Sequence, residues 1–258
     1  MKKQLLWKKG SPFFLLFFIF MIWEVSVEQF SIETWLLPSP SAVLEAGMIE
    51  YERIWEHIIS TVHLAFVGLL VGSLIGVLLA ACLHLFPLIK EAVHPLLILS
   101  QNVPIIVLAP LLIIWFGFGI ESKLVVISLV CFFPISISML DGFRHIPLEF
   151  RDYFEMMGAS KVQLFWKLEL PYALPYVFSG LKISATYSVM GAVISEWLGA
   201  QKGLGVYMTL ASSAYRTDRV FVAIFVIMFI SLLFFAVITL LEKAFISWKR
   251  KEDYRTNA

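Results

Sequence analysis

The chain has 258 residues, 60% of them hydrophobic and 15% charged, whereas a soluble domain of this size carries ~25% charged residues. The formal net charge is +1 and no long block of basic residues occurs, so nothing points to nucleic acid as a partner. Two isolated cysteines, Cys82 and Cys131, exclude a disulfide framework or a zinc site and read as small buried hydrophobes.

The apolar excess is clustered into runs of about 20 residues, the length that crosses ~30 Å of hydrocarbon as a helix. Six spans follow, at about 11–30, 59–85, 95–117, 123–141, 172–197 and 219–242. The fold class is therefore an all-α, multi-pass integral membrane protein of one domain, with lipid as its surrounding phase. Lys2, Lys3, Lys8 and Lys9 precede the first span as in a signal peptide. No small-residue cleavage site follows them, so an uncleaved first helix is expected.

Between the first two spans, Ser39 or Ser41 can cap a helix over about 41–58. Leu44, Met48, Tyr51, Trp55 and Ile58 share one face of it, which describes a helix lying in the outer interface. Span two carries Gly68, Gly72, Gly76 and Ala80 at four-residue spacing, a face that lets another helix approach closely. Span three contains Gln101 and Asn102 among Pro95, Pro104 and Pro110. Amides at membrane depth need partners or water, so they either line a pathway or support a kink. Span five repeats the small-residue face as Gly180, Ser184, Ser188 and Ala192. Its serines either bond back to the backbone or line a polar path. Gln101, Asn102, Ser184 and Ser188 are the candidate pathway residues.

Orientation follows from Lys and Arg. Counted with the N-terminus inside, inner segments hold fourteen and outer segments five, with Lys182 inside span five. That bias puts both termini in the cytoplasm. Lys182 lies near enough to the inner end to snorkel, and Glu196 falls near the outer mouth. Glu24 and His63 are the other ionisable residues in or at the ends of spans, and together they form no spaced acidic relay.

No phosphate-binding loop, H-E-x-x-H, G-x-S-x-G or dinucleotide fingerprint is present, so the chain is not read as an enzyme, and no cofactor, metal or ATP site of its own is expected. The inner loop 142–171 is polar and sharply bounded. Pro147 suits the start of a helix running to about Met157, Gly158 stops it, Ser160 caps a second short helix, and Pro171 ends that one. Phe150, Tyr153, Phe154, Met156 and Met157 make its first arm a docking knob for another protein.

Asp152, Tyr153, Phe154, Gly158, Leu168, Leu170 and Pro171 stand at the intervals of the loop E-A-A-x-x-x-G-x(9)-I-x-L-P. On them the chain resembles the permease subunits of bacterial binding-protein-dependent ABC importers. Asp replaces Glu, Tyr and Phe replace the alanines, and Leu replaces Ile, while every interval is kept. "LPSPSAV", "PLLIIWFGFG", "GASKVQLFWKLELPYALP" and "EWLGAQKGLG" extend the resemblance to the nitrate/sulfonate/taurine-type branch over most of 37–243.

The resemblance implies that the loop, with Ala159 beside Gly158, is a coupling helix seated on a cytoplasmic ABC ATPase subunit that binds ATP-Mg. It implies a permease homodimer in the cell membrane and an extracytoplasmic solute-binding protein. "SQNVPIIVLAPLLIIWFG" and "SVMGAVISEWLGAQKGLG" look most like permeases for the hydroxymethylpyrimidine precursor of thiamine and related heterocycles. Alkylsulfonate, taurine or nitrate import is the alternative, and an integral-membrane enzyme a distant one.

Overall fold

The computed structural model describes residues 2–246, with side chains from Pro12 onward. Lys249, Arg250, Lys251 and Arg255, four of the fourteen inner basic residues, lie outside the described residues. Among the described residues there is no strand. Eleven α-helices follow in order: α1 Lys2–Gln29, α2 Pro40–Ile49, α3 Tyr51–Leu85, α4 Pro87–Ser100, α5 Ile105–Phe116, α6 Ile120–Arg144, α7 Leu148–Met156, α8 Lys161–Leu164, α9 Leu170–Trp197, α10 Leu204–Ser213 and α11 Thr217–Phe245.

Five continuous helical segments are long and apolar enough to cross a membrane, and α4 with α5 forms a sixth that is bent by 102°. The third span is thus a broken pair that starts at Pro87, not one kinked helix over 95–117. Two constraints meet at the break. Val103 precedes a proline and is driven away from helical backbone, and Pro104, extended at ψ 122°, has no N–H to continue the ladder.

The expected outer helix over 41–58 is also two elements. Ser39 accepts from Ala42 N–H to start α2, which ends at Glu50 (φ −89°, ψ 5°). Residues 51–58 instead open the 35-residue α3, which is about 52 Å long and so reaches well past the hydrocarbon. The charged residues at its start have water to project into. Glu24 of α1 anchors α2, accepting from Ser41 N–H (3.0 Å) and Ser41 Oγ (2.5 Å) at the positive end of that helix.

Helix α6 is the centre of the bundle, flanked by α3 and α9. Gly68, Gly72, Gly76 and Ala80 of α3 are all buried, and Gly72 comes so close that an added Cβ would sit 2.7 Å from Cys131 Cβ. On the other side a Cβ at Gly180 of α9 would sit 2.8 Å from Ile135 Cα and from Pro134 O. Two stripes of small residues therefore clamp one helix from both sides, with close packing replacing the absent hydrophobic drive. Cys131 is buried in this contact as expected, whereas Cys82 faces outward from α3, contrary to its expected burial. Helix α1 rests against the bundle edge through Trp23 and Phe20, whose rings lie 5.3 Å from Phe221 and 6.0 Å from Phe225 of α11.

Candidate functional site

Helix α7 lies at one end of the bundle and has no buried residue. Leu148, Phe150, Tyr153, Met156 and Met157 are at least half exposed, and Asp152 is also exposed. Phe154 and Ala159 are half-buried. Gly158 adopts φ +75°, and a Cβ there would meet nothing within 4 Å, so the need for glycine is one of backbone conformation alone. The chain reverses and Ser160 opens α8 with a full capping box, in which its Oγ accepts from Gln163 N–H (3.3 Å) while Gln163 Oε1 accepts from Ser160 N–H (2.8 Å).

Pro171 does not end this second helix. Phe165–Glu169 form a π-turn in which Leu170 N–H bonds back to Phe165 O, and the helix runs on into α9. Pro171 has no N–H for Lys167 O and its ring crowds that carbonyl, and the wider turn absorbs the mismatch. Leu168, Leu170 and Pro171 are half-buried, and both leucines pack on the cluster around Leu83, Met139 and Phe143. The π-turn also buries Glu169 (6% exposed), whose Oε2 accepts from His84 Nε2 of α3 (2.8 Å) and whose Oε1 pairs with Arg151 Nη2 of α7 (2.9 Å).

At mid-bundle, the broken span opens a groove of about 500 Å³. Gln101 and Asn102 line it with Ser100, Phe133, Tyr187 and Met190. Both amides face outward, and Asn102 Nδ2 donates to Ile98 O (2.7 Å). Ser184 and Ser188 are not brought to this groove. Both are fully buried in the α6–α9 contact, with Ser184 Oγ donating to Cys131 O (2.7 Å) and Ser188 Oγ to Ala185 O (2.9 Å). One helical step moves the lining to Tyr187 and Met190, because the small-residue stripe points at α6 and the bulky neighbours point away.

At the opposite end of α9, Glu196 is 1% exposed. It accepts from Thr61 Oγ1 (2.8 Å) and Gly205 N–H (2.9 Å), while Leu204 N–H donates to Thr61 Oγ1 (2.8 Å). Gly203, at φ +130°, also makes room, since a Cβ there would overlap the Glu196 carboxylate. Four residues thus fasten the first turn of α10 to α3 and α9. On α10 itself the Tyr207 hydroxyl is buried with no partner among the described residues, and that burial, the largest cause, pushes its pKa up. Lys182 does not snorkel freely but pairs with Glu242 of α11. His63 faces outward. Among the described residues no three His, Cys, Asp or Glu side chains converge as a metal site requires.

Sequence reasoning missed Glu169, His84, Arg151, Tyr187 and the Thr61–Glu196 pair. A glutamate inside the otherwise apolar closing "LELP" was the available signal for the first of these.

Residues 72–247 match the family described as binding-protein-dependent transport system inner membrane component. The Formylaminopyrimidine transport permease protein ThiX of Halalkalibacterium halodurans is 34% identical over 253 residues, covering 98% of this chain and 100% of the relative. The Riboflavin transport system permease protein RibX of Chloroflexus aurantiacus is 30% identical, covering 93% and 90%. The fold is shared with a chain from the crystal structure of an amino acid ABC transporter with histidines, at TM-score 0.64 and 15% identity over 77% of this chain and 97% of that one. Helices of membrane length, a loop at the family's spacing and a match across most of the chain agree, and the protein belongs to the binding-protein-dependent inner membrane components as the permease subunit of an ABC importer, a multi-pass protein of the cell membrane.

Proposed function

We propose that two copies of this chain form the membrane path of an importer that takes up a thiamine-precursor pyrimidine or a related heterocycle. A loaded binding protein delivers the solute outside, and two ATPase subunits that bind ATP-Mg drive its passage. In this reading the α7 end is cytoplasmic, as are both termini, and α7 with the Gly158 turn is the handle that the ATPase grips. The observation that carries it is a helix with no buried residue, outward-facing aromatics and methionines, and a rigidly capped return. A chain without nucleotide-binding motifs needs such a handle.

The groove supports the rest. Outward-facing Gln101 and Asn102 would be costly against lipid, so a second copy closing over them makes them the wall of a polar path. Tyr187 adds an aromatic face on which a flat heterocycle could stack. The pyrimidine class rests on the similarity to the ThiX permease, with RibX pointing equally to heterocycles.

The experiment is uptake into proteoliposomes holding this chain, its ATPase and its binding protein, with formylaminopyrimidine as solute. ATP-dependent uptake is expected. Gly158→Val should abolish it while ATP hydrolysis and assembly persist, because a β-branched residue resists φ +75° although space is free. Normal uptake by the variant would remove the coupling role. Uptake of taurine or an alkylsulfonate in place of the pyrimidine would reassign the solute.

A further inference from the structure

We infer that Glu169 is a positioning residue through which movement of α7 reaches α3 and α9. The inference rests on the reading of α7 as the ATPase handle. A handle must be attached to what it moves, and the packing does not attach this one, since no residue of α7 is buried. Its covalent link to α9 passes through Gly158, a residue with little conformational resistance. The ion pair from Arg151 Nη2 to Glu169 Oε1, at 2.9 Å, bridges the same gap directly.

What makes this a strut rather than a surface contact is its far side. The Glu169 side chain is 8% exposed and that of His84 14%. His84 sits in the last turn of α3, and its Nε2 holds the other Glu169 oxygen at 2.8 Å. The ring is itself stacked on Phe143 of α6, with centroids 4.0 Å apart. One carboxylate therefore divides its two oxygens between α7 and α3 while riding on the turn that opens α9. Its place in the π-turn matters, because such a turn already departs from regular helix bonding and can shift its register locally. Displacement of α7 would pull on Glu169 and so tilt α9 and α3 together about the small-residue contacts with α6.

The test uses the reconstituted complex of this chain with its ATPase and binding protein. ATP hydrolysis and uptake are each normalised to assembled complex. Glu169→Gln, which keeps the shape but removes the charge, is expected to lower solute moved per ATP about tenfold, within the range found for residues on a coupling path. Hydrolysis should continue and lose its stimulation by loaded binding protein. Arg151→Met, at a half-exposed position tolerant of change, should act alike, and Arg151→Lys should restore most of the ratio. A merely structural role would lower the amount of complex and leave the ratio unchanged.

A wild-type ratio in Arg151→Met, or in assembled Glu169→Gln, overturns the inference. Gly158→Val in the same assay separates the two ideas. If it uncouples while the Glu169 and Arg151 variants do not, the handle stands and the strut falls. If none uncouples, the handle reading falls and takes the strut with it.

Discussion

Two buried glutamates bracket helix α9, Glu169 just before its first residue and Glu196 in its last turn, and the two are held in different ways. Glu169 and Glu196 are 6% and 1% exposed and about 40 Å apart along the helix. Each ties α9 to α3 and reaches one short element beyond the bundle: α7 for Glu169 and α10 for Glu196. At the α7 end the partners are charged or chargeable, Arg151 and His84. At the α10 end they are a threonine hydroxyl and the backbone N–H of Gly205. Side-chain ion pairs reach across gaps and tolerate changes in length, because charge attraction falls slowly with distance. A cap on a helix's first turn has one geometry and loses its bonds within an ångström or so. The difference suits a jointed attachment at the α7 end and a fixed one at the α10 end.

The largest effect should come from breaking the fixed end. Glu196→Leu leaves Thr61 Oγ1 and Gly205 N–H without their acceptor inside a buried site. At ~1–3 kcal/mol for each of the two stranded donors, the loss is about 2–6 kcal/mol. A clear fall in the thermal midpoint of detergent-solubilised protein is expected, with Glu196→Gln falling less because its amide oxygen still accepts. Equal midpoints for Glu196→Leu and wild type would mean that α10 is held by packing alone.

A smaller effect tests whether the middle of α9 sets the spacing that both ends depend on. Gly180→Val places a Cβ 2.8 Å from Ile135 Cα and Pro134 O, and backbone cannot swing aside as a side chain can. Helices α6 and α9 must part, at a cost of ~1–3 kcal/mol. The Ser184 to Cys131 O bond one turn away should weaken with them. Cross-linking efficiency between cysteine pairs placed across α6 and α9 would report the parting, and unchanged efficiency would show that the contact is more compliant than its geometry implies.

The parts of this molecule governed by local rules were legible in the sequence. The apolar runs gave the spans, the four-residue glycine spacing gave the faces of α3 and α9 that meet α6, and Pro147, Gly158 and Ser160 gave the α7 turn with its capping. What stayed open or failed depended mostly on partners distant in sequence. A serine's spacing does not tell whether its hydroxyl meets a cavity or a carbonyl, which leaves both roles open for Ser184 and Ser188, and here Ser184 meets Cys131 O and Ser188 meets Ala185 O. Pro171 read as a stop because the π-turn that admits it has no composition of its own. Glu169 joins Arg151 and His84, which lie 18 and 85 positions away, so no periodicity exposes the junction. The 102° break after Gln101 was half visible, since the prolines marked a weakness and not an angle.

The smallest effect separates the two partners of Glu196. Thr61 Oγ1 does two jobs at once, donating to the carboxylate at 2.8 and 3.0 Å and accepting from Leu204 N–H at 2.8 Å. Thr61→Val keeps the branched shape, so packing against α10 should hold, while Leu204 N–H loses its acceptor. Glu196 keeps Gly205 N–H, so the carboxylate is not abandoned. The expected loss is therefore about 1–2 kcal/mol, that of one stranded backbone donor, and Thr61→Ser should recover most of it. The double variant Thr61→Val with Glu196→Leu makes the comparison sharper. If the two residues act as one clamp, the second change costs less than it does alone, because the bond between them is already gone and only Gly205 N–H is newly stranded. Strict additivity in the thermal midpoints would instead mean that threonine and glutamate hold α10 independently, and the α10 end would then be two separate contacts in place of one fixed joint.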